Sequence, residues 1–200
     1  MPATRAFIAI HLPLQLREAL LSICAQLRDS PGGRAARWVA GDNIHVTLKF
    51  LGDVDNTRLP DVQQAIARVC AGRPPFRVTV AGLGCFPGLA RPRVVWAGID
   101  RGARELAALA GSIDQSLGEL GFARESRPFS AHITLARADR RASNVELATL
   151  GRTIASQDKA EIGGMTVDSV SVVKSDLFAG GPVYTDLSIS TLGSKPLPRS

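Results

Sequence analysis

The sequence predicts a mixed α+β fold made of two similar halves, and three observations carry that prediction. Each half reads strand, helix, strand, helix, strand. Matching positions keep a near-constant offset: Phe7 and Val94 open equivalent strands 87 positions apart, His45 and His132 are also 87 apart, and Phe76 and Thr166 are 90 apart. The chain has 200 residues, 45% hydrophobic and 21% charged, which suits one domain or two small lobes sharing a core. The halves run from about 5 to 88 and from 92 to 192. Packed about a pseudo-twofold axis, they would bring equivalent positions face to face.

The elements follow in order. Residues 6–10, Ala-Phe-Ile-Ala-Ile, read as a buried strand. Pro13 opens a helix whose apolar face is Leu16, Leu20, Ile23, Cys24 and Leu27, and Pro31-Gly32-Gly33 ends it. A loop leads to a strand at Ile44–Phe50. Leu59, Val62, Ile66 and Val69 mark a second helix, followed by a strand at Phe76–Val80 and a strand bend at Gly82-x-Gly84. In the second half, Arg93–Ile99 reads as a strand, and Leu106, Leu109, Ala110, Ile113, Leu117 and Leu120 as a helical stripe. Residues 132–136 form the next strand. Ser143 and Glu146 form a capping box for a helix containing Leu147, Leu150 and Ile154. Thr166–Val173 and Val183–Ile189 complete the strands, and the tail 195–200 is expected to fray.

Net charge and cysteine usage narrow the partners. A net charge of +6 and a pI near 9.9 favour an anionic partner such as nucleic acid or a phosphorylated metabolite. Cys24, Cys70 and Cys85 are an odd, widely spaced set, which argues against a disulfide framework and a zinc ribbon. Neither a signal peptide nor a membrane span is legible, so a cytoplasmic location is expected.

The chemistry concentrates in the histidines. The sequence has three, and two lie in near-identical contexts, His45-Val46-Thr47-Leu48 and His132-Ile133-Thr134-Leu135. Alternate side chains of a strand share a face. Each motif therefore presents an imidazole and a hydroxyl on one face, with Val46, Leu48 and Phe50 or Ile133 and Leu135 on the other. One copy would be an ordinary half-buried strand histidine. Two copies at matching places point to a shared site. Imidazole titrates near pH 6.5, so one ring can accept a proton from water while the other donates to a leaving oxygen. The hydroxyls of Thr47 and Thr134 can bond non-bridging phosphate oxygens. No cofactor and no metal is required. A zinc site would need further ligands, and Cys85 and Asp42 are the nominees without supporting spacing.

These paired motifs resemble those of the 2H, or two-histidine, phosphoesterases. Their branch most similar to this chain is the RNA 2′,3′-cyclic phosphodiesterases, also called LigT-like or 2′-5′ RNA ligases. The resemblance extends through Phe7–Ile10, Arg37–Val39, Asn43–Gly52, Phe86-Pro87, Arg91–Trp96, Gly121-Phe122, Arg127–Arg137 and Gly181–Tyr184. Departures are His11, where an acidic residue is frequent, and Ala131, where proline precedes the second motif. The resemblance implies a bilobal α+β fold with the active-site groove between two sheets. It implies RNA bearing a 2′,3′-cyclic phosphate as partner, tRNA halves included, opened to a 2′-phosphate, and reversible 2′-5′ ligation. His45 would be the proton donor and His132 the proton acceptor. Arg137 would contact phosphate, although strict strand parity turns it away from the site unless a bulge intervenes. Phe129 would stack on a terminal base, a role that competes with core packing. His11 reads as a strand-end residue, Trp38 and Trp96 as core, and Arg91, Arg93, Arg124 and Arg127 as groove-lining or simply solvated. A monomer is expected, with no membrane partner. Other readings are a non-catalytic RNA 3′-end-binding module, or an enzyme of a small cyclic nucleotide or an ADP-ribose cyclic phosphate.

Overall fold

The computed structural model describes residues 2–157 and 160–193. Its strands and helices run β1 (Ala3–His11), α1 (Leu14–Asp29), β2 (Ala36–Trp38), β3 (His45–Asp55), α2 (Leu59–Ala71), β4 (Phe76–Phe86), β5 (Val94–Ile99), α3 (Ala103–Glu119), β6 (His132–Ala138), α4 (Asn144–Ala155), β7 (Glu161–Val167), β8 (Ser169–Phe178) and β9 (Gly181–Thr191). The tail 195–200, expected to fray, lies outside the described residues.

The helices form where apolar periodicity meets a start or stop signal. Pro13 precedes α1, whose Leu16, Leu20, Cys24 and Leu27 are buried. In α3, Leu106, Leu109, Ala110, Ile113 and Leu117 are buried together. Each such leucine or isoleucine contributes about 1.5–3 kcal/mol by leaving water. The Ser143–Glu146 capping box is present at α4, with Glu146 accepting from the Ser143 backbone N–H at 2.8 Å. The main core joins α1, α2 and α3 to the inward face of the sheet, where Ile8, Ile10, Val46, Leu48, Ile133 and Leu135 lie, while Leu150 and Ile154 of α4 pack in a second cluster with Leu27, Cys85, Val95 and Ala136.

Described strands pair in the order β7-β4-β5-β6-β3-β1-β8-β9, with β2 added on β6. The two arms that the resemblance implies meet at β3 and β6, which are joined through the single described pair Val46↔Ile133, so their strands run in one continuous order. Each half also lends its third strand to the other. Strand β4 pairs with β5, and β8 pairs with β1. The segment predicted as one strand, Thr166–Val173, is broken at Asp168 into β7 and β8, which lie far apart in the strand order. An uninterrupted apolar pattern cannot reveal such a change of partner. The three-residue β2 falls where the sequence predicts a loop, being too short to show a period. Strand β4 continues well beyond Val80 by bending at Gly82, where φ is 66° and the register against β5 shifts.

Candidate active site

His45 opens β3 and His132 opens β6. Val46 and Ile133 oppose each other and both feed the core, so their neighbours His45, Thr47, His132 and Thr134 project from the other face around that one pair. All four are half-buried. This is the arrangement that the two period-2 motifs predict.

Each ring is held by the residue two positions before it. His45 Nδ1 lies 2.8 Å from the Asn43 carbonyl oxygen, and His132 Nδ1 lies 2.8 Å from that of Ser130. A carbonyl can only accept, so both Nδ1 atoms carry hydrogen. When neutral, each ring therefore keeps its basic lone pair on Nε2. Asn43 and Ser130 are themselves 87 positions apart. That matched offset is the sequence signal that could have found them.

The environment of His45 is aromatic. Phe7 stacks on it at 4.9 Å between ring centroids, and Tyr184 meets it edge-on at 5.4 Å. Phe86 meets His132 edge-on at 5.1 Å. Burial, outweighing the Asn43 hydrogen bond and helped by the charges of His11 and Arg137, lowers the His45 pKa to about 4. In the free protein near neutral pH the ring is neutral, and its Nε2 accepts from the Thr47 hydroxyl at 3.0 Å.

A matched pair of β-bulges completes the site. In β3, Ile8 pairs with Lys49 and Ala9 with Thr47, leaving Leu48 as the extra residue. In β6, Val95 pairs with Ala136 and Trp96 with Thr134, leaving Leu135 as the extra residue. After each bulge the parity inverts. Lys49 and Ala136 turn inward, and Phe50 and Arg137 turn to the histidine side. Phe50, expected in the core with Val46 and Leu48, is instead 59% exposed. Arg137 returns to the site face, lining a groove with Phe7, Phe50 and Tyr184.

Lys49 is the cost of that inversion, and it is neutralised. Its ammonium is buried and donates to Asp114 on α3 and to the Ala123 carbonyl oxygen, both at 2.7 Å. Arg124 Nε also donates to Asp114 at 2.6 Å, so Arg124 belongs to this network rather than to a substrate groove. Burial alone would raise the Asp114 pKa. Hydrogen bonds from Lys49, Arg124 and the Glu125 backbone outweigh it and hold the carboxyl at about 2.

The remaining candidates divide. Phe129 is half-buried and packs against the main core. Trp38 also packs against core residues, its Nε1 donating to the Gly33 carbonyl oxygen at 2.9 Å. Trp96, expected in the core, lies on the site face opposite Thr134, over Gly84, where an added Cβ would fall 2.3 Å from its ring. His11 ends β1, is exposed, and contacts Asp186 at 2.7 Å. Cys85 is buried and Asp42 approaches Arg17 at 3.5 Å, so these two do not join the histidines. Among the described residues, no three His, Cys, Asp or Glu side chains converge where they could hold a metal, and no helix is long and apolar enough to cross a membrane.

The family model of the LigT-like phosphoesterases matches this chain twice, over residues 10–96 and 98–184. The chain belongs to that family. The first match contains the His45 motif and the second the His132 motif. Its relatives include an RNA 2′,3′-cyclic phosphodiesterase of Methanothermobacter thermautotrophicus, 32% identical over 94% of this chain and 98% of the relative. Another of the same name, from Archaeoglobus fulgidus, is 34% identical over 92% and 98%. A crystal structure of a Thermus thermophilus protein superposes with a TM-score of 0.78 at 29% identity, covering 94% of this chain and 98% of that one. E. coli LigT complexed with 3′-AMP superposes with a TM-score of 0.76 at 28% identity, covering 96% and 99%. The α+β fold expected of the LigT-like chain is thus the fold it has.

Proposed function

We propose that the protein opens RNA 2′,3′-cyclic phosphate ends to 2′-phosphates by metal-independent acid–base catalysis between His45 and His132. The observation that carries this reading is the matched pair of Nδ1-anchored imidazoles, each beside a threonine, on one face of the joined arms. The names of the relatives supply the substrate class.

In the forward step, His132 Nε2 takes a proton from water as the water oxygen bonds to phosphorus. The bond from phosphorus to O3′ breaks, and His45 Nε2–H protonates O3′. The phosphate stays on O2′. His45 is neutral in the free protein, so the acid role requires the bound phosphodiester anion to favour its imidazolium. Once Nε2 is protonated it no longer accepts from Thr47, and that hydroxyl is released to donate to the phosphate. Thr134 supplies the second hydroxyl, and Arg137 a cation on the same face. With a 5′-hydroxyl in place of water, the same transfers join two RNA ends, such as tRNA halves, through a 2′-5′ bond. The working form is a cytoplasmic monomer.

The test is to incubate the protein with a 2′,3′-cyclic-phosphate oligonucleotide in excess EDTA and identify the product end. A 2′-phosphate is expected, at an undiminished rate. Turnover lost to EDTA and restored by zinc or manganese would overturn the scheme, and so would a 3′-phosphate product. Binding without turnover would favour a 3′-end-binding module.

The threonines are expected to matter less than the histidines. Thr47→Ala or Thr134→Ala removes one donor to the phosphate, costing about 2–4 kcal/mol of transition-state stabilisation. Full activity in both variants, measured as kcat/KM, would show that neither hydroxyl meets the phosphate.

A further inference from the structure

A second feature adjoins His45 that the transfer of protons does not use. A groove of about 430 Å³ is lined by Arg5, Phe7, Phe50, Arg137, Leu177 and Tyr184, among others. That volume is within the range of small-molecule sites. Two of its walls, Phe7 and Tyr184, touch the His45 ring, so it is continuous with the catalytic face. Phe50 and Leu177 are large apolar side chains left exposed, at 59% and 66%. No ion pair engages Arg5 or Arg137 among the described residues. Both line the same groove as Tyr184. An exposed aromatic ring beside free guanidinium groups is the composition that binds single-stranded nucleic acid, with bases stacking and phosphates pairing.

The reaction decides which part of the RNA lies here. A cyclic phosphate is bonded through O2′ and O3′ to one ribose, and the rest of the RNA continues from that ribose. Water enters in line, opposite the departing O3′. The ribose and the chain behind it therefore lie on the side of the acid. With His45 as acid, that side is the one holding this groove. We propose that the groove seats the nucleotide immediately 5′ of the cyclic end, with Arg5 pairing with the phosphodiester that joins it to the terminal nucleotide and Phe50 offering a stacking face to its base. The protein is thereby selective for oligonucleotide ends over cyclic mononucleotides. This inference rests on the acid and base roles proposed above.

The test compares kcat/KM for the dinucleotide ApA 2′,3′-cyclic phosphate with that for adenosine 2′,3′-cyclic phosphate, in the wild type and in Arg5→Gln. The wild type is expected to favour the dinucleotide. In Arg5→Gln the ratio of the two values should fall by about 10–100-fold, the loss of one charge-assisted hydrogen bond. Arg5→Lys should recover part of it, and the salt dependence of dinucleotide binding should weaken by about one phosphate contact in Arg5→Gln. A ratio that stays at the wild-type value in Arg5→Gln overturns the subsite while leaving the hydrolytic reading intact. A wild type that opens neither substrate overturns that reading, and the subsite with it.

Discussion

Alanine at His45 or at His132 is expected to slow opening of a cyclic-phosphate oligonucleotide by several orders of magnitude. A general acid and a general base each typically supply about 10²–10⁴-fold. The double variant should be little slower than the poorer single one, because groups that act as a unit are not additive. Both single variants should still bind the cyclic end, since Thr47, Thr134 and Arg137 remain. His11→Ala should leave the rate almost unchanged, because His11 ends β1 and is engaged with Asp186. The pH profile of kcat/KM should be bell-shaped, its limbs belonging to the coupled pair. Burial sets a further expectation. Followed by ring NMR, His45 in the free protein should titrate well below an ordinary histidine, at a pH of about 4. Filling the site with a 2′-phosphate product should move that titration upward, because a nearby anion favours the imidazolium. Near-normal turnover in either alanine variant would sink the two-histidine mechanism.

Asp114→Ala is expected to cost about 3–5 kcal/mol of stability, read as a lowered denaturation midpoint. It strips the buried Lys49 ammonium of the carboxylate it hydrogen-bonds, leaving only the more distant and more exposed Glu125 at 4.0 Å, and removing one partner of a buried ion pair carries a penalty of that size. The double variant Lys49→Met with Asp114→Ala should recover much of the loss, since it removes the stranded charge. The pH dependence has a definite sign. The Asp114 pKa is lowered in the folded state, to about 2, so its contribution is present above the ordinary aspartate value of about 4. It is lost as pH falls from there towards 2. The wild type should therefore lose more stability over that interval than Asp114→Ala does. Equal acid sensitivity in the two proteins would show that the network does not stabilise the fold.

Much of the site is legible in the residues because it is local. His45 and Thr47, like His132 and Thr134, are two apart, and two is the period of a strand. The capping box at Ser143 and the stripe of α3 are local in the same way. Less local features escape such a reading. Strand parity places Phe50 in the core and bulk places Trp96 there, yet both stand on the site face, and nothing in the apolar run marks the break at Asp168. Arg124 reads as groove-lining or simply solvated, and its pairing with Asp114, ten positions earlier on a helix, is not visible in the sequence.

By itself, then, the sequence determined the helices α1 to α4, most of the strands, the spacing of 87 positions between the two histidine motifs and the chemical identity of those motifs. These depend on periodicities and neighbours within a few residues. Tertiary structure decided which side chains join the motifs. A bulge exists only relative to the strand it pairs with, and those at Leu48 and Leu135 arise against β1 and β5. They invert parity, so Lys49 turns inward to Asp114 while Phe50 and Arg137 come round to the histidines. The partners of β4 and β8 were decided at the same level, each going to the opposite half, because strand pairing is a long-range contact that local patterning does not encode.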